Sequence, residues 1–90
     1  MQLILQIHPA RKYVAVAEKG KFPRIFIYSL PDLHLFRILR KGTERAYSAL
    51  CFNHDGTTLA SVGGYPDFML TVWAWRDEKV VLRSKAFAQV

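Results

Sequence analysis

The chain has 90 residues, of which 51% are hydrophobic and 22% are charged, and 13 Lys and Arg against 7 Asp and Glu give it a formal charge of +6. A chain of this size forms at most one small domain, which buries about 60–70% of its unfolded surface. The composition excludes an intrinsically disordered chain, and the apolar runs are too short to cross a membrane.

The N-terminal segment and the cysteine content bear on the compartment. Met1–Ile7 is apolar but has neither a basic leader nor a small-residue cleavage site, so we expect no secretory signal. Cys51 is the single cysteine and cannot form an internal disulfide, which favours a reducing, cytoplasmic compartment. The positive charge favours acidic partners such as nucleic acid, tubulin-like surfaces or acidic protein patches, and it is equally compatible with a basic soluble surface.

The chain aligns with itself when it is shifted by 45 residues without a gap. The matching segments are Leu5–Pro9 with Leu50–His54, Tyr13–Ala17 with Thr58–Val62, and Ile25–Leu30 with Leu70–Trp75. Apolar residues fall on apolar residues, turn residues fall on turn residues, and aromatic Tyr28 falls on aromatic Trp73. The alignment predicts two units of one repeat, residues 1–45 and 46–90.

Each unit contains four short segments rich in Val, Ile, Leu and aromatic residues, separated by turn residues, which is typical of β-strands. The first unit has Leu3–Ile7, Tyr13–Ala17, Ile25–Leu30 and Leu35–Leu39. The second unit has Ser48–Phe52, Leu59–Gly63, Met69–Trp75 and Lys79–Ser84. Gly56, within the turn His54–Thr57, is predicted to supply the positive φ that a tight hairpin needs.

One segment has an alternative reading. Helical spacing relates four residues, Leu33, Phe36, Arg37 and Arg40. A helix from Asp32 to Lys41, ended by Gly42, would satisfy this spacing. The matching segment Lys79–Ser84 is short and β-branched, which favours a strand in both units.

Four strands in about 45 residues is the size of one β-propeller blade. The second strand of each unit carries small side chains, Ala15 and Ala17 and then Ala60, Ser61 and Gly63. The third carries bulky ones, Phe26 and Tyr28 and then Trp73 and Trp75. Small groups fit where blades converge toward the ring axis, and aromatic groups fit at the rim. The predicted fold class is therefore all-β, with two four-stranded antiparallel blades.

Two blades cannot close a ring. The outward face of each sheet would leave an apolar patch uncovered. We therefore expect the chain to be ordered only when further blades flank it or when it is held in an assembly.

Two segments resemble the WD-repeat family. Asp67–Trp73 resembles the D-x-x-I-x-V-W segment, and His54–Gly56 followed by Leu59–Ser61 resembles the P-D-G…L-A-S hairpin. The resemblance implies structural roles for Trp73, Gly56 and Asp67, with Asp67 bracing the turn before the third strand through hydrogen bonds.

The chain also departs from the family pattern. Ala74 replaces the Asp of the W-D pair, and Thr43 follows Gly42 where the family has a G-H pair. The hydrogen-bonded network that the family builds on that His is therefore expected to be absent or altered.

Four longer stretches resemble large WD-repeat proteins of the ciliary axoneme: residues 15–21, 37–44, 60–67 and 82–87. The resemblance implies a non-catalytic scaffold that helps tether inner-arm dynein machinery to doublet microtubules, in the cytoskeleton of the cilium or flagellum. The implied partners are other axonemal proteins, such as a dynein heavy chain, tubulin or a second WD-repeat tether subunit. A WD-repeat adaptor in another cytoplasmic complex is an alternative, and the chain would be a fragment of a longer protein.

The spacing of the polar residues is not typical of a catalytic or metal-binding site. The single Cys and the three His have no paired ligand spacing, so no metal or other cofactor is expected. Ser48, Ser61 and Ser84 lie on predicted strands without a strained nucleophile elbow. We therefore expect that the chain is not an enzyme.

Basic residues cluster with aromatic residues in the first unit, which can indicate single-stranded nucleic-acid binding. The basic members are Arg11, Lys12, Lys19, Lys21 and Arg24, near Tyr13, Phe22 and Phe26. Phe26 fits the core pattern and Tyr13 matches a plain hairpin position, so a nucleic-acid-binding β domain is the less favoured alternative.

In an up-and-down blade, the loops after the second and fourth strands lie at one end. These loops are Glu18–Arg24, Lys41–Ala46 and Gly64–Phe68. Loops on rigid scaffolds carry much of protein recognition. The predicted partner-binding residues are Lys19, Lys21, Arg24, Arg45, Tyr65 and Asp67.

Overall fold

The computed structural model describes residues 4–66 and 68–85, and it is built from eight β-strands in that part of the chain. The strands are β1 (Ile4–Ile7), β2 (Tyr13–Ala17), β3 (Ile25–Ser29), β4 (His34–Leu39), β5 (Tyr47–Phe52), β6 (Leu59–Gly63), β7 (Met69–Ala74) and β8 (Lys79–Lys85). A single 3₁₀ turn, Trp75–Asp77, separates β7 from β8. Within the described ranges, no helix is long and apolar enough to span a membrane.

The strands form two four-stranded sheets, β1-β2-β3-β4 and β5-β6-β7-β8, in which every neighbouring pair is antiparallel. This confirms the predicted all-β class with two four-stranded antiparallel units. The two sheets do not close a ring.

The helix considered for Asp32–Lys41 is wrong, because β4 occupies most of that segment. A bulge in the β3–β4 ladder sets Ile27 opposite Arg37 and Tyr28 opposite Leu35, which leaves Phe36 as the extra residue. The bulge lets both Phe36 and Leu39 pack toward the core. The bulge interrupts the two-residue alternation of the strand, and Leu33 and Arg40 of the helical spacing lie outside it.

The backbone repeats with the same 45-residue interval as the sequence. Arg11 and Gly56 both have positive φ, at 61° and 79°, and Leu33 and Glu78 both do, at 59° and 57°. A bulge in the β7–β8 ladder falls at the same place as the one between β3 and β4. These shared irregularities show that the two sheets have the same backbone architecture.

The core lies between the two sheets. The first sheet contributes Ala15, Ala17, Ile25, Ile27 and Leu39, and the second contributes Tyr47, Leu50, Phe52, Leu59, Trp73 and Trp75. Full burial of one large apolar side chain contributes about 1.5–3 kcal/mol. Each sheet therefore stabilises the other, with β1 lying beside β5 at the inner edge.

The opposite faces of the sheets are open. Side chains alternate between the two faces of a strand, so the first sheet turns Leu5, Ile7, Val14, Val16, Phe26 and Tyr28 away from the second; we call this set the first open face. The second sheet turns away Cys51, Ala60, Val62, Leu70, Val72 and Leu82, the second open face. Leu5, Ile7 and Leu82 are 49%, 54% and 51% exposed, so apolar surface remains in water on both flanks.

Candidate functional site

The two sheets are joined by hydrogen bonds at the Gly56 carbonyl. It accepts from His8 Nε2 at 3.0 Å and from Trp75 Nε1 at 2.9 Å. His8 Nδ1 accepts from the Ala10 amide at 3.0 Å, so the ring proton is on Nε2. Gly56 has the positive φ expected of the hairpin, and a Cβ there would overlap the His8 ring. This position requires glycine for both reasons.

Trp75 is the centre of an aromatic cluster at the same junction and is fully buried. Its ring lies 5.0 to 6.2 Å, between centroids, from four others: His8, Tyr13, Phe36 and Phe52. Edge-to-face contacts of this kind contribute about 0.5–1.5 kcal/mol each beyond buried area. Three of these neighbours belong to the first sheet and its turns, so Trp75 connects the two repeats.

A second series of hydrogen bonds lies in the core beside Trp73. Its indole Nε1 donates to Ser61 Oγ at 3.0 Å, and the Ser61 hydroxyl lies 3.5 Å from the Thr71 carbonyl. Thr71 Oγ1 donates to the Gly42 carbonyl at 3.3 Å, in a buried bond. These side-chain hydrogen bonds link β6 and β7 to the chain that follows β4.

The Tyr47 side chain lies against Gly42, beside the Trp73 ring. A Cβ on Gly42 would overlap the Tyr47 hydroxyl, and it would come 2.8 Å from the Trp73 ring. The hydroxyl is buried, and among the described residues it has no hydrogen-bond partner. Burial raises the pKa of Tyr47 to about 12, opposed in part by the Ser61 hydroxyl and by the charge of Arg83. The Ser61 hydroxyl accepts from Trp73.

The raised pKa predicts a loss of stability in alkali. The folded state holds the Tyr47 proton more tightly than the unfolded state, whose tyrosine pKa is about 10. The contribution is therefore complete below pH 10 and is lost as pH rises toward 12. Absorbance of tyrosinate near 295 nm should show one late-titrating group that Tyr47→Phe removes and Tyr65→Phe retains. Identical titration curves for the native chain and Tyr47→Phe would contradict this account.

The predicted loops meet at one end of the sheets. The Phe22 amide donates to the Glu44 carbonyl at 3.1 Å, and the Gly64 amide donates to the Ala46 carbonyl at 2.9 Å. These bonds confirm that the β2–β3, β4–β5 and β6–β7 loops share one end. At this end lies a cleft of about 560 Å³, the loop-end cleft, lined by Phe22, Lys41, Gly42, Thr43, Glu44, Arg45, Met69 and Arg83.

Basic side chains outnumber acidic ones in the loop-end cleft. Lys41, Arg45 and Arg83 line it against the single acidic residue Glu44. Arg83 Nη2 donates to the Lys41 carbonyl at 2.7 Å, which fixes β8 to the chain that follows β4. Phe22 is 69% exposed and adds an apolar surface to the cleft. The cleft is suited to an acidic partner that also presents some apolar surface.

The predicted partner-binding residues that the structure describes lie at or near the end of the sheets that carries these three loops. Arg45 lines the cleft, and Lys19 and Lys21 are exposed on the neighbouring β2–β3 loop. Tyr65 is 79% exposed on the β6–β7 loop. Asp67, predicted both to brace a turn and to bind a partner, lies outside the described residues.

Arg24 has a different environment. Its guanidinium forms two bonds of 2.9 Å to the Glu18 carboxylate, and its amide donates to the same carboxylate at 2.8 Å. These bonds hold the pKa of Glu18 at about 2. The Arg24 guanidinium also lies over the Phe26 ring, 5.0 Å from its centroid. Arg24 thus closes the β2–β3 loop, and its charge is compensated.

The basic cluster of the first unit is divided by the fold. Arg11 and Lys12 lie in the β1–β2 turn, and Lys19, Lys21 and Arg24 lie at the other end of β2. A five-residue strand of about 17 Å separates the two groups. The cluster therefore does not form one continuous groove for a nucleic-acid strand.

Three of the known proteins that resemble the chain share one name, cilia- and flagella-associated protein 44. The mouse (Mus musculus) protein and the Chlamydomonas reinhardtii protein are each 53% identical to the chain over 92% of its length. The Trypanosoma brucei brucei protein is 46% identical over 88%. The chain is homologous to cilia- and flagella-associated protein 44. The name that these relatives share associates them with cilia and flagella.

The chain spans only 4% to 5% of the length of these relatives. No family model matches it, so membership of the WD-repeat family stays a prediction. The names of these relatives agree with the cilium and flagellum part of the resemblance, and the axonemal placement stays a prediction.

Proposed function

We propose that the chain is a non-catalytic protein-binding segment of a scaffold in the ciliary or flagellar axoneme, where it helps to tether inner-arm dynein machinery to doublet microtubules. The observation that carries the proposal is the basic loop-end cleft, mounted on two rigid sheets of a cilia-associated sequence. The proposed location is the axonemal cytoskeleton.

The charge of the cleft indicates the chemistry of the partner. Lys41, Arg45 and Arg83 present positive charge at one end of the molecule, where an acidic protein surface would find electrostatic complementarity. Tubulin, a dynein heavy chain and a second tether subunit are the proposed partners, and among them an acidic tubulin surface matches the cleft most simply.

The hydrogen bonds of His8 are compatible with a binding role for the chain. His8 uses both ring nitrogens in structural hydrogen bonds, to Ala10 and Gly56. It therefore has no free nitrogen to act as a general base. The proposal includes no catalytic residue and no cofactor.

Sedimentation with microtubules tests the proposed partner. The paired substitution Lys41→Glu with Arg45→Glu should weaken binding about tenfold, since it reverses two charges in the cleft. Lys12→Glu with Lys79→Glu makes the same change in net charge away from the cleft and should have a smaller effect. Equal losses in both variants would show that only net charge matters and would contradict a role for the cleft.

The role of the whole protein is tested in cells. Removal of the full-length protein from a ciliated cell should alter ciliary beating, and restoration with the Lys41→Glu, Arg45→Glu form should correct it less well than restoration with the unaltered form. Normal beating after removal would contradict the proposed tether.

A further inference from the structure

Phe22, which lines the loop-end cleft, has both an unusual backbone and an exposed ring. Its φ of 51° is left-handed, a conformation that bulky residues rarely adopt. Its side chain is 69% exposed, so packing in the core does not compensate for that backbone. The Phe22 amide donates to the Glu44 carbonyl at 3.1 Å, which holds the residue in place. Strained residues that the surrounding structure fixes in this way cluster at binding sites.

A second left-handed residue lines the same cleft. Lys41 has φ 66°, and its carbonyl accepts from Arg83 Nη2 at 2.7 Å. Phe22 and Lys41 lie on different loops, and each is held by a hydrogen bond to another element. The walls of the cleft are therefore fixed before anything binds, and a preformed site loses less conformational entropy on binding.

The lining of the cleft combines apolar and basic groups. Phe22 and Met69 supply the apolar part, and a thioether makes favourable contacts with an aromatic ring. The charged ends of Lys41, Arg45 and Arg83 are exposed around them. A volume of about 560 Å³ is that of a typical ligand pocket, which accepts a protruding side chain and not a flat protein surface.

We propose that the loop-end cleft binds an extended acidic peptide segment through one aromatic side chain of that segment. The aromatic ring would lie against Phe22 and Met69, and carboxylates on either side of it would pair with Lys41, Arg45 and Arg83. The inference rests on the proposed protein-binding role of the cleft and deepens it, because it names the part of the partner that enters. The lining residues lie between positions 22 and 83, so loops of both repeats form the site.

A single-stranded nucleic acid fits the cleft less well. Such a strand binds by stacking successive bases on aromatic rings, and among the described residues that line the cleft, Phe22 alone is aromatic. Glu44 also lines the cleft, and its negative charge would repel a phosphate backbone. The combination of one ring, three cations and one carboxylate favours a peptide.

Fluorescence anisotropy with two labelled peptides tests the proposal. One peptide has three Glu on each side of a Phe, and the other has Ala in place of that Phe. The native chain should bind the Phe peptide about tenfold more tightly, as expected for partial burial of an aromatic side chain. Phe22→Ala should weaken binding of the Phe peptide about tenfold and leave binding of the Ala peptide unchanged, because the two rings contact each other only in the native pair.

Two further variants serve as controls. Phe22→Leu keeps an apolar side chain in the cleft and should retain most of the preference for the Phe peptide. Tyr65→Ala removes an aromatic side chain that is 79% exposed at the same end and does not line the cleft, so it should bind both peptides like the native chain. The fluorescence of the buried Trp73 and Trp75 reports whether each variant is folded.

Several outcomes would overturn the proposal: equal binding of the two peptides by the native chain, binding of neither, equal losses in Phe22→Ala and Tyr65→Ala, or tighter binding of a single-stranded oligonucleotide. The result is separable from the microtubule experiment. If Lys41→Glu with Arg45→Glu weakens microtubule binding while the two peptides bind equally, the proposed function stands and the aromatic anchor is wrong. A tenfold preference for the Phe peptide without microtubule binding would support the anchor and exclude tubulin as the partner.

Discussion

Replacement of Trp75 by Ala is expected to unfold the chain in the absence of any partner. Removal of a large buried aromatic side chain costs about 3–5 kcal/mol, and Trp75 also donates to Gly56 and contacts four aromatic rings. A domain of this size has a total stability of only about 5–10 kcal/mol. The substitution would therefore remove a large part of the free energy of unfolding of the chain.

Urea denaturation followed by circular dichroism measures this effect. Trp75→Phe is the matched control, because it keeps a ring in the cluster and loses the indole donor while His8 still bonds the Gly56 carbonyl. Its additional cost for the lost hydrogen bond should be about 1 kcal/mol. If Trp75→Ala unfolds at the same urea concentration as the native chain, the proposed junction between the sheets is wrong.

Gly56→Ala is expected to produce the second large loss, of about 3 kcal/mol, from two sources. The left-handed backbone at φ 79° disfavours a Cβ, and that Cβ would also overlap the His8 ring. His8 would have to move, and its hydrogen bond to the Gly56 carbonyl would break. The effect should appear as a lower urea midpoint with an unchanged slope.

Gly20→Ala separates the cost of the left-handed backbone from the cost of the overlap with His8. Gly20 has φ 92°, and a Cβ there would have nothing within 4 Å, so only the backbone cost of about 1–2 kcal/mol applies. His8→Ala combined with Gly56→Ala removes the overlap, and the pair should cost less than the sum of the single changes. Strict additivity, or equal losses at Gly20 and Gly56, would show that His8 does not pack on the turn.

The strands were predictable because their signals are local. The predicted bounds of Tyr13–Ala17 and Leu59–Gly63 are those of the structure, and β3, β4, β5, β7 and β8 each differ from the prediction by one residue at an end. The prediction for β1 agrees over Ile4–Ile7, and Leu3 lies outside the described residues. Turn residues separate the strands along the chain. The repeat also pairs each strand with a matching strand in the other unit, and the two matching segments support the same prediction. The segment that allowed a helix was ambiguous because the bulge at Phe36 breaks the two-residue alternation.

Contacts between distant residues were not predictable. His8 and Gly56 are 48 positions apart, and no local pattern indicates that one bonds the other. Lys41 and Arg83 likewise reach the same cleft only because the topology brings β8 beside the chain after β4. Arg24 had the charge of a partner-binding residue, whereas its bonds to Glu18 are visible only in the folded loop.

Nuclear Overhauser contacts to the ring of His8 test the packing of the two repeats most directly. His8 belongs to the first repeat, and its ring lies 5.6 Å from that of Trp75 and 5.2 Å from that of Phe52, both in the second. Cross-peaks from the His8 ring protons to both aromatic rings are predicted. A His8 ring with contacts only to its own repeat, together with two indole protons that exchange freely with water, would contradict the account.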